Sequence, residues 1–103
     1  MKNSNTFLVE TLRSLTSIPS PSGRTEKIVG WTLELLQSWG YTPELTRRGA
    51  IKLKLPGKDS SRARALTAHL DTLGAMVRHL KENGRCALAP LELGQAASQK
   101  VPE

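Results

Sequence analysis

The chain holds one cysteine and two histidines among its 103 residues. A lone Cys86 excludes an internal disulfide and fits a reducing cytoplasm. No apolar run approaches the roughly 20 residues that a membrane-spanning helix needs. The opening Met1-Lys2-Asn3-Ser4-Asn5 leads into an amphipathic pattern instead of the apolar stretch of a secretion signal. Aromatic residues are confined to Phe7, Trp31, Trp39 and Tyr41, and the apolar fraction is 38%. That is little for a self-sufficient core, so the chain reads as one small domain or a piece of a larger one. It has no glycine-rich phosphate loop and no Gly-x-Ser-x-Gly elbow, which removes the usual signatures of nucleotide binding and of serine hydrolases. Ser20-Pro21-Ser22-Gly23 reads as a loop and cap, not as a nucleophile.

Acidic residues are also few. Nine stand against fifteen lysines and arginines, for a net charge of +6. Such a balance raises the question of a nucleic-acid partner. The basic residues Arg47, Arg48, Lys52, Lys54, Lys58, Arg62 and Arg64 are scattered over strand faces and turns, with no aromatics between them. They read as a solvated face. A basic module using Arg47, Arg48, Lys52 and Lys54 against nucleic acid or another acidic partner is the alternative function.

What is present gives an α/β pattern of two helices and about five strands. Leu8, Leu12 and Leu15 recur at helical spacing over Thr6 to Thr16, with Asn5 as the expected cap. Ile18-Pro19 stops that helix. Ile28, Thr32, Leu35, Leu36 and Trp39 share a face of a second helix over Thr25 to Trp39, which Gly40 ends. Period two follows. Tyr41 to Thr46 reads as a strand, and Ile51, Leu53 and Leu55 alternate with Lys52 and Lys54 in the next. Ala63 to Ala68 is small and apolar enough for a central strand. Leu73 to Leu80 and Arg85 to Pro90 flank Asn83-Gly84, a tight hairpin turn in which both residues can take positive φ. The tryptophans and Cys86 are expected to pack, and His79 to lie on the surface.

His69 and Asp71 form the one plausible site pair. Two residues apart on an extended segment, they point to the same side. A carboxylate there can fix the imidazole tautomer while the other ring nitrogen takes a metal. The plain alternative is a strand-end histidine bonded to a nearby acid, and spacing alone favours it, because zinc needs three or four protein ligands. Glu10, Glu26, Glu34 and Glu44 have no spacing that joins them to His69.

Three stretches carry a family resemblance. They are Leu15-Thr16-Ser17-Ile18-Pro19-Ser20-Pro21-Ser22-Gly23, then Arg48-Gly49-Ala50-Ile51, then Ala68-His69-Leu70-Asp71-Thr72-Leu73-Gly74-Ala75-Met76-Val77 with the Asn83-Gly84 hairpin behind it. In this order, from Leu8 to Pro90, the chain resembles the N-terminal part of metallopeptidase family 42, the glutamyl- and deblocking-aminopeptidase family. Glu44 to Ile51, with Ala50 where most relatives carry asparagine, looks like the subgroup associated with synthesis of the osmoprotectant N-acetylglutaminylglutamine amide. The resemblance implies the N-terminal part of a zinc-aminopeptidase-like three-layer domain. It also implies a cytoplasmic enzyme of homo-oligomeric habit with two divalent metals, zinc or cobalt. Such an enzyme releases N-terminal residues from peptides or from a small peptide-like compound. Carried over by position, His69 is a terminal metal ligand and Asp71 the catalytic-site acid that holds its ring. The metals polarise the scissile carbonyl and activate water while a glutamate moves the proton. The family's remaining ligands and its glutamate have no counterparts in this sequence, so the chain by itself is expected to be inactive.

After Pro90 the likeness fails. Leu91 to Glu103 admits codons that, read from the third base of the first, spell Gly-Thr-Trp-Ser-Ser-Arg-Phe-Ala-Glu-Gly-Ala-Arg, the pattern the subgroup carries there. The expectation is that residues 1–90 are the N-terminal portion of the catalytic domain and 91–103 an out-of-frame, unstructured tail.

Overall fold

A computed structural model of the chain describes residues 3–91. It contains α1 (Ser4–Ser17), α2 (Glu26–Ser38), β1 (Glu44–Leu45), β2 (Ile51–Lys52), β3 (Ala75–Leu80) and β4 (Cys86–Pro90). The class is α/β, as the alternation of periods implies. The strands form two separate antiparallel pairs, β1 with β2 and β3 with β4. The expected tail lies outside the described residues except for Leu91.

Helix α1 begins two residues earlier than its pattern suggests. Asn3 takes the cap position without a side-chain bond, and Asn5 lies inside the helix. The hydroxyls of Ser14 and Thr16 turn back onto the carbonyls of Glu10 and Leu12 at 3.0 and 2.9 Å. Ile18 then leaves the helix in an extended conformation, as a residue before proline must. Helix α2 ends as its glycine requires. Gly40 has φ +86°. Its N–H reaches the Gln37 carbonyl at 2.9 Å, and the Tyr41 N–H reaches Leu36 at 3.1 Å. That pair of bonds is the Schellman arrangement, which satisfies carbonyls a helix end would otherwise leave free.

The apolar stripe expected of α1 from helical spacing holds only at Leu15, which is half-buried. Leu8 and Leu12 are both 62% exposed. The face turned to α2 carries Phe7, Glu10, Thr11 and Ser14, opposite Trp31, Leu35 and Trp39. Phe7 and Trp39 meet with ring centroids 5.5 Å apart and a tilt of 52°, a favourable aromatic geometry. On α2 the expected face holds at one end, since Ile28 is 2% exposed. Among the described residues it is the one fully buried hydrophobic side chain.

Both hairpins turn by the same device. The Gly49 N–H bonds the Thr46 carbonyl at 2.9 Å and the Thr46 N–H bonds Ala50 at 2.8 Å. The Gly84 N–H bonds Lys81 at 3.0 Å and the Lys81 N–H bonds Arg85 at 2.9 Å. Gly49 and Gly84 have φ +88° and +78°, while among the described residues no other residue type has positive φ. A four-residue turn whose last residue is a left-handed glycine makes a three-residue hairpin loop. Asn83 therefore does not take the positive φ expected of it. Its carboxamide oxygen instead accepts from the Arg85 N–H at 3.1 Å, the local bond that suits asparagine to turns.

Three further strand expectations change. Tyr41 to Thr46 and Ile51 to Leu55 shorten to the two-residue β1 and β2. Ala63 to Ala68 forms no strand and is exposed throughout. A strand is defined by its ladder, and this segment has no pairing neighbour among the described residues. In β3, a register shift between Val77 and His79 leaves Arg78 opposite no residue. That bulge resets the alternation, so His79 faces Ala87 and Leu80 faces Cys86. His79 is exposed as expected, and Cys86 is exposed where packing was expected.

The β2–β3 connection carries one well-formed polar turn. Asp59 Oδ1 accepts from the Ser61 hydroxyl at 2.6 Å and from its N–H at 2.9 Å. The hydroxyl bond first, and the backbone bond second, hold the Asp59 carboxyl below its ordinary value. A depressed carboxylate stabilises the turn above its unfolded pKa, about 3.9, and loses that contribution as pH falls through the folded value. Ser61→Ala should move the Asp59 midpoint, followed by carboxyl NMR shifts, upward toward that of a free aspartate.

Candidate functional site

The segment from Leu70 to Gly74 is held on both sides. Pro19 and Pro21 keep the chain after α1 extended, which lays it alongside this segment. Ser20, 0% exposed, donates its hydroxyl to the Leu70 carbonyl at 2.9 Å. The Thr72 N–H returns a bond to the Ser20 carbonyl at 2.9 Å. Pro21 and Thr72 form a parallel bridge. The Arg24 N–H then closes a turn onto the Pro21 carbonyl at 2.9 Å, with Gly23 at φ +85°. From the other side, the Leu91 N–H bonds the Gly74 carbonyl at 2.9 Å. Ser20 thus buries a hydroxyl and satisfies it, as a buried polar group must.

Gly74 is the closest approach in this clamp. A Cβ placed there would lie 2.5 Å from the Cβ of Pro21 and 3.5 Å from Leu91 Cδ1. A proline ring cannot swing aside, so a side chain at 74 must push the loop away. Gly74→Ala, placed in a chain that carries the whole catalytic domain, should cost about 1–3 kcal/mol, the usual range for overpacking. The Thr72 amide, bonded to Ser20 in the parent, should lose its protection from hydrogen exchange. An unchanged Thr72 amide would show that the loop tolerates the methyl group.

Within this frame the structure brings His69 and Asp71 together. His69 Nδ1 lies 3.2 Å from Asp71 Oδ1 and 3.1 Å from the Asp71 carbonyl oxygen. Both partners only accept, so a neutral ring making these bonds carries its proton on Nδ1. Nε2 is left as a lone-pair donor. The His69 side chain is 84% exposed and that of Asp71 47%, so Nε2 is open to a ligand. Asp71 Oδ2 accepts from the Ser22 hydroxyl at 3.4 Å. Sequence reasoning set Ser22 aside as part of a loop. Its contact spans 49 residues of chain, and no local periodicity marks it.

Among the described residues, His79, Cys86 and the glutamates do not join the pair. Among the described residues no three His, Cys, Asp or Glu side chains gather into a group that could hold a metal ion. One imidazole with an orienting carboxylate fits one corner of a zinc site and no more. Arg47 and Arg48 occupy the β1–β2 turn, and Lys52 and Lys54 follow it, all exposed. None of the described helices is long and apolar enough to cross a membrane.

Comparison with known proteins agrees with the resemblance. The family described as M42 glutamyl aminopeptidase matches residues 49–102. A Bacillus subtilis (strain 168) protein named "Putative aminopeptidase YhfE" is 44% identical over 77 residues, which are 75% of this chain and 22% of that protein. The chain thus spans about a fifth of the length of the curated relative it matches. The family match begins at Gly49, the last residue of the first hairpin turn, and covers the His69–Asp71 pair and both strands of the second sheet. With more than half of its residues matched, the chain belongs to the M42 glutamyl aminopeptidase family.

Proposed function

We propose that the chain contributes the first metal ligand, and the frame that holds it, to a two-metal aminopeptidase. The observation that carries this reading is the open Nε2 of His69, set by the Nδ1 contacts to Asp71. In this reading residues 1–90 are the N-terminal portion of a three-layer catalytic domain. His69 is a terminal ligand, and Asp71 fixes the orientation and tautomer of its ring. When bound, the two divalent metals, zinc or cobalt, supply Lewis acidity toward the scissile carbonyl and the activated water. The chain's own residues orient one ligand and keep its proton on the far nitrogen. With neither a second ligand set nor a general base among the described residues, the 103-residue chain is inactive alone.

Ala50 and the run from Glu44 to Ile51 support the osmoprotectant-associated subgroup and with it a small peptide-like substrate, while the family membership supports a cytoplasmic setting and a homo-oligomeric whole enzyme. For residues 91–103 we propose an out-of-frame origin, supported by the second-frame spelling of the subgroup's pattern. The family match runs across this segment to residue 102. Sequencing the genomic DNA through codons 90–103 decides the matter. Codons that end in frame at Glu103 with no Gly-Thr-Trp-Ser-Ser-Arg-Phe-Ala-Glu-Gly-Ala-Arg reading beneath them would discard the idea.

The test of the function is an assay of a chain that carries the whole catalytic domain. Release of N-terminal residues from short peptides, abolished by a chelator and restored by Zn²⁺ or Co²⁺, is the expected result. Salt-sensitive binding of nucleic acid with no such release would favour the basic module built on Arg47, Arg48, Lys52 and Lys54.

A further inference from the structure

We infer that Ser22 is a positioning residue for the histidine–aspartate pair. This rests on the reading of His69 as a metal ligand held by Asp71. A carboxylate two residues from its imidazole can turn either oxygen toward the ring, or swing away into solvent. Asp71 is half exposed, so burial does not fix its rotamer. What restricts it is a division of labour between its oxygens. Oδ1 lies 3.2 Å from His69 Nδ1, while Oδ2 takes the Ser22 hydroxyl at 3.4 Å. The donor comes from a different part of the chain, and that part is pinned independently. Ser20 ties the same loop to the Leu70 carbonyl and the Thr72 N–H, and Pro21 sits against Gly74. Ser22 is thus carried on a loop docked to the backbone on both sides of Asp71. The serine loop of one end of the chain thereby acts on the tautomer of a ring 47 residues away, leaving Nε2 as the nitrogen free for a ligand.

Nitrogen-15 NMR of the imidazole rings in the 103-residue chain tests this, in alkaline buffer and without metal. The spectrum separates the two neutral tautomers, and His79 serves as an internal control. Ser22→Ala should lower the ratio of Nδ1–H to Nε2–H at His69 by about twofold, the low end of what one hydrogen bond is worth, because the 3.4 Å contact is long. Ser22→Thr should restore it, and His79 should not change. The Asp71 carbonyl, also within reach of Nδ1, keeps the effect from being complete. The Thr72 amide shift reports whether the loop stays docked. Should the alanine variant undock it, Ser22→Cys gives the same comparison with the side chain's shape retained. Asp71→Ala separates the two layers of the argument. If Asp71→Ala shifts the ratio and the docked Ser22 variants do not, the Ser22 inference is overturned and the pair stands. If Asp71→Ala leaves the ratio unchanged, the pairing itself fails.

Discussion

His69→Ala, placed in a chain that carries the whole catalytic domain, should all but abolish metal-dependent release of N-terminal residues. Asp71→Asn should lower it by about 10- to 100-fold, the range seen when an outer partner of a metal-bound histidine is lost. The order of the two effects follows from the geometry. The histidine variant removes a donor atom that Asp71 alone does not replace, since among the described residues no group of three His, Cys, Asp or Glu side chains forms around it. The asparagine variant keeps the shape but can present its amide N–H₂ to Nδ1. That favours the tautomer with the proton on Nε2, where the ligand lone pair should be. The loss should therefore appear partly as weaker metal binding, and excess Zn²⁺ should recover part of the Asp71→Asn activity but none of that lost with His69→Ala. Steady-state rates measured across a metal titration check both points. Equal and irreversible losses in the two variants would mean that Asp71 does more than hold the ring.

The second large effect concerns the chain by itself. The 103-residue polypeptide should show no sharp, cooperative thermal transition and should bind a dye specific for exposed apolar surface. Its accessible surface is 9966 Å² for 11.3 kDa, whereas a compact monomer of that mass exposes about 5,700 Å². Among the described residues Ile28 is the only hydrophobic side chain fully removed from water. Every residue of β3 is exposed, and Leu66 and Leu73 are 102% and 77% exposed. Isolated two-stranded sheets are marginal at best in water, and both sheets here are of that kind. The contacts that remain are local turns, two helices and the Ser20–Gly74 clamp. Scanning calorimetry and dye binding measure the outcome, and a single reversible transition with a large enthalpy would contradict it.

The parts of the fold that were legible in the sequence are those with local causes. Gly40, Gly49 and Gly84 stand where the chain must take positive φ, and proline at 19 and 21 marks the end of α1. The helix period of α2 correctly located Ile28. The misreadings share a different cause. Ala63 to Ala68 has strand composition, but a strand needs a ladder partner, and composition cannot supply one. Leu8, Leu12 and Leu15 recur at helical spacing, yet the face of α1 nearest α2 is built on Phe7, Thr11 and Ser14. There an aromatic contact with Trp39 outweighed the count of leucines. The bulge at Arg78 shifted the alternation of β3 by one residue without any glycine or proline to announce it. Of the candidate site, His69 and Asp71 were visible from their spacing, because the parity of an extended chain is local. Ser20, Ser22 and the close fit of Gly74 to Pro21 were not, because they depend on two segments about 50 residues apart lying side by side.

The central claim is that Nε2 of His69 coordinates metal while Nδ1 faces Asp71. The most direct test is a crystal of the whole catalytic domain, loaded with zinc and measured at the zinc absorption edge. The account predicts an anomalous peak about 2.0–2.1 Å from His69 Nε2, the ordinary zinc–nitrogen distance, with Asp71 on the opposite side of the ring. A peak on Nδ1, or a fully loaded site with no density beside His69, would contradict it.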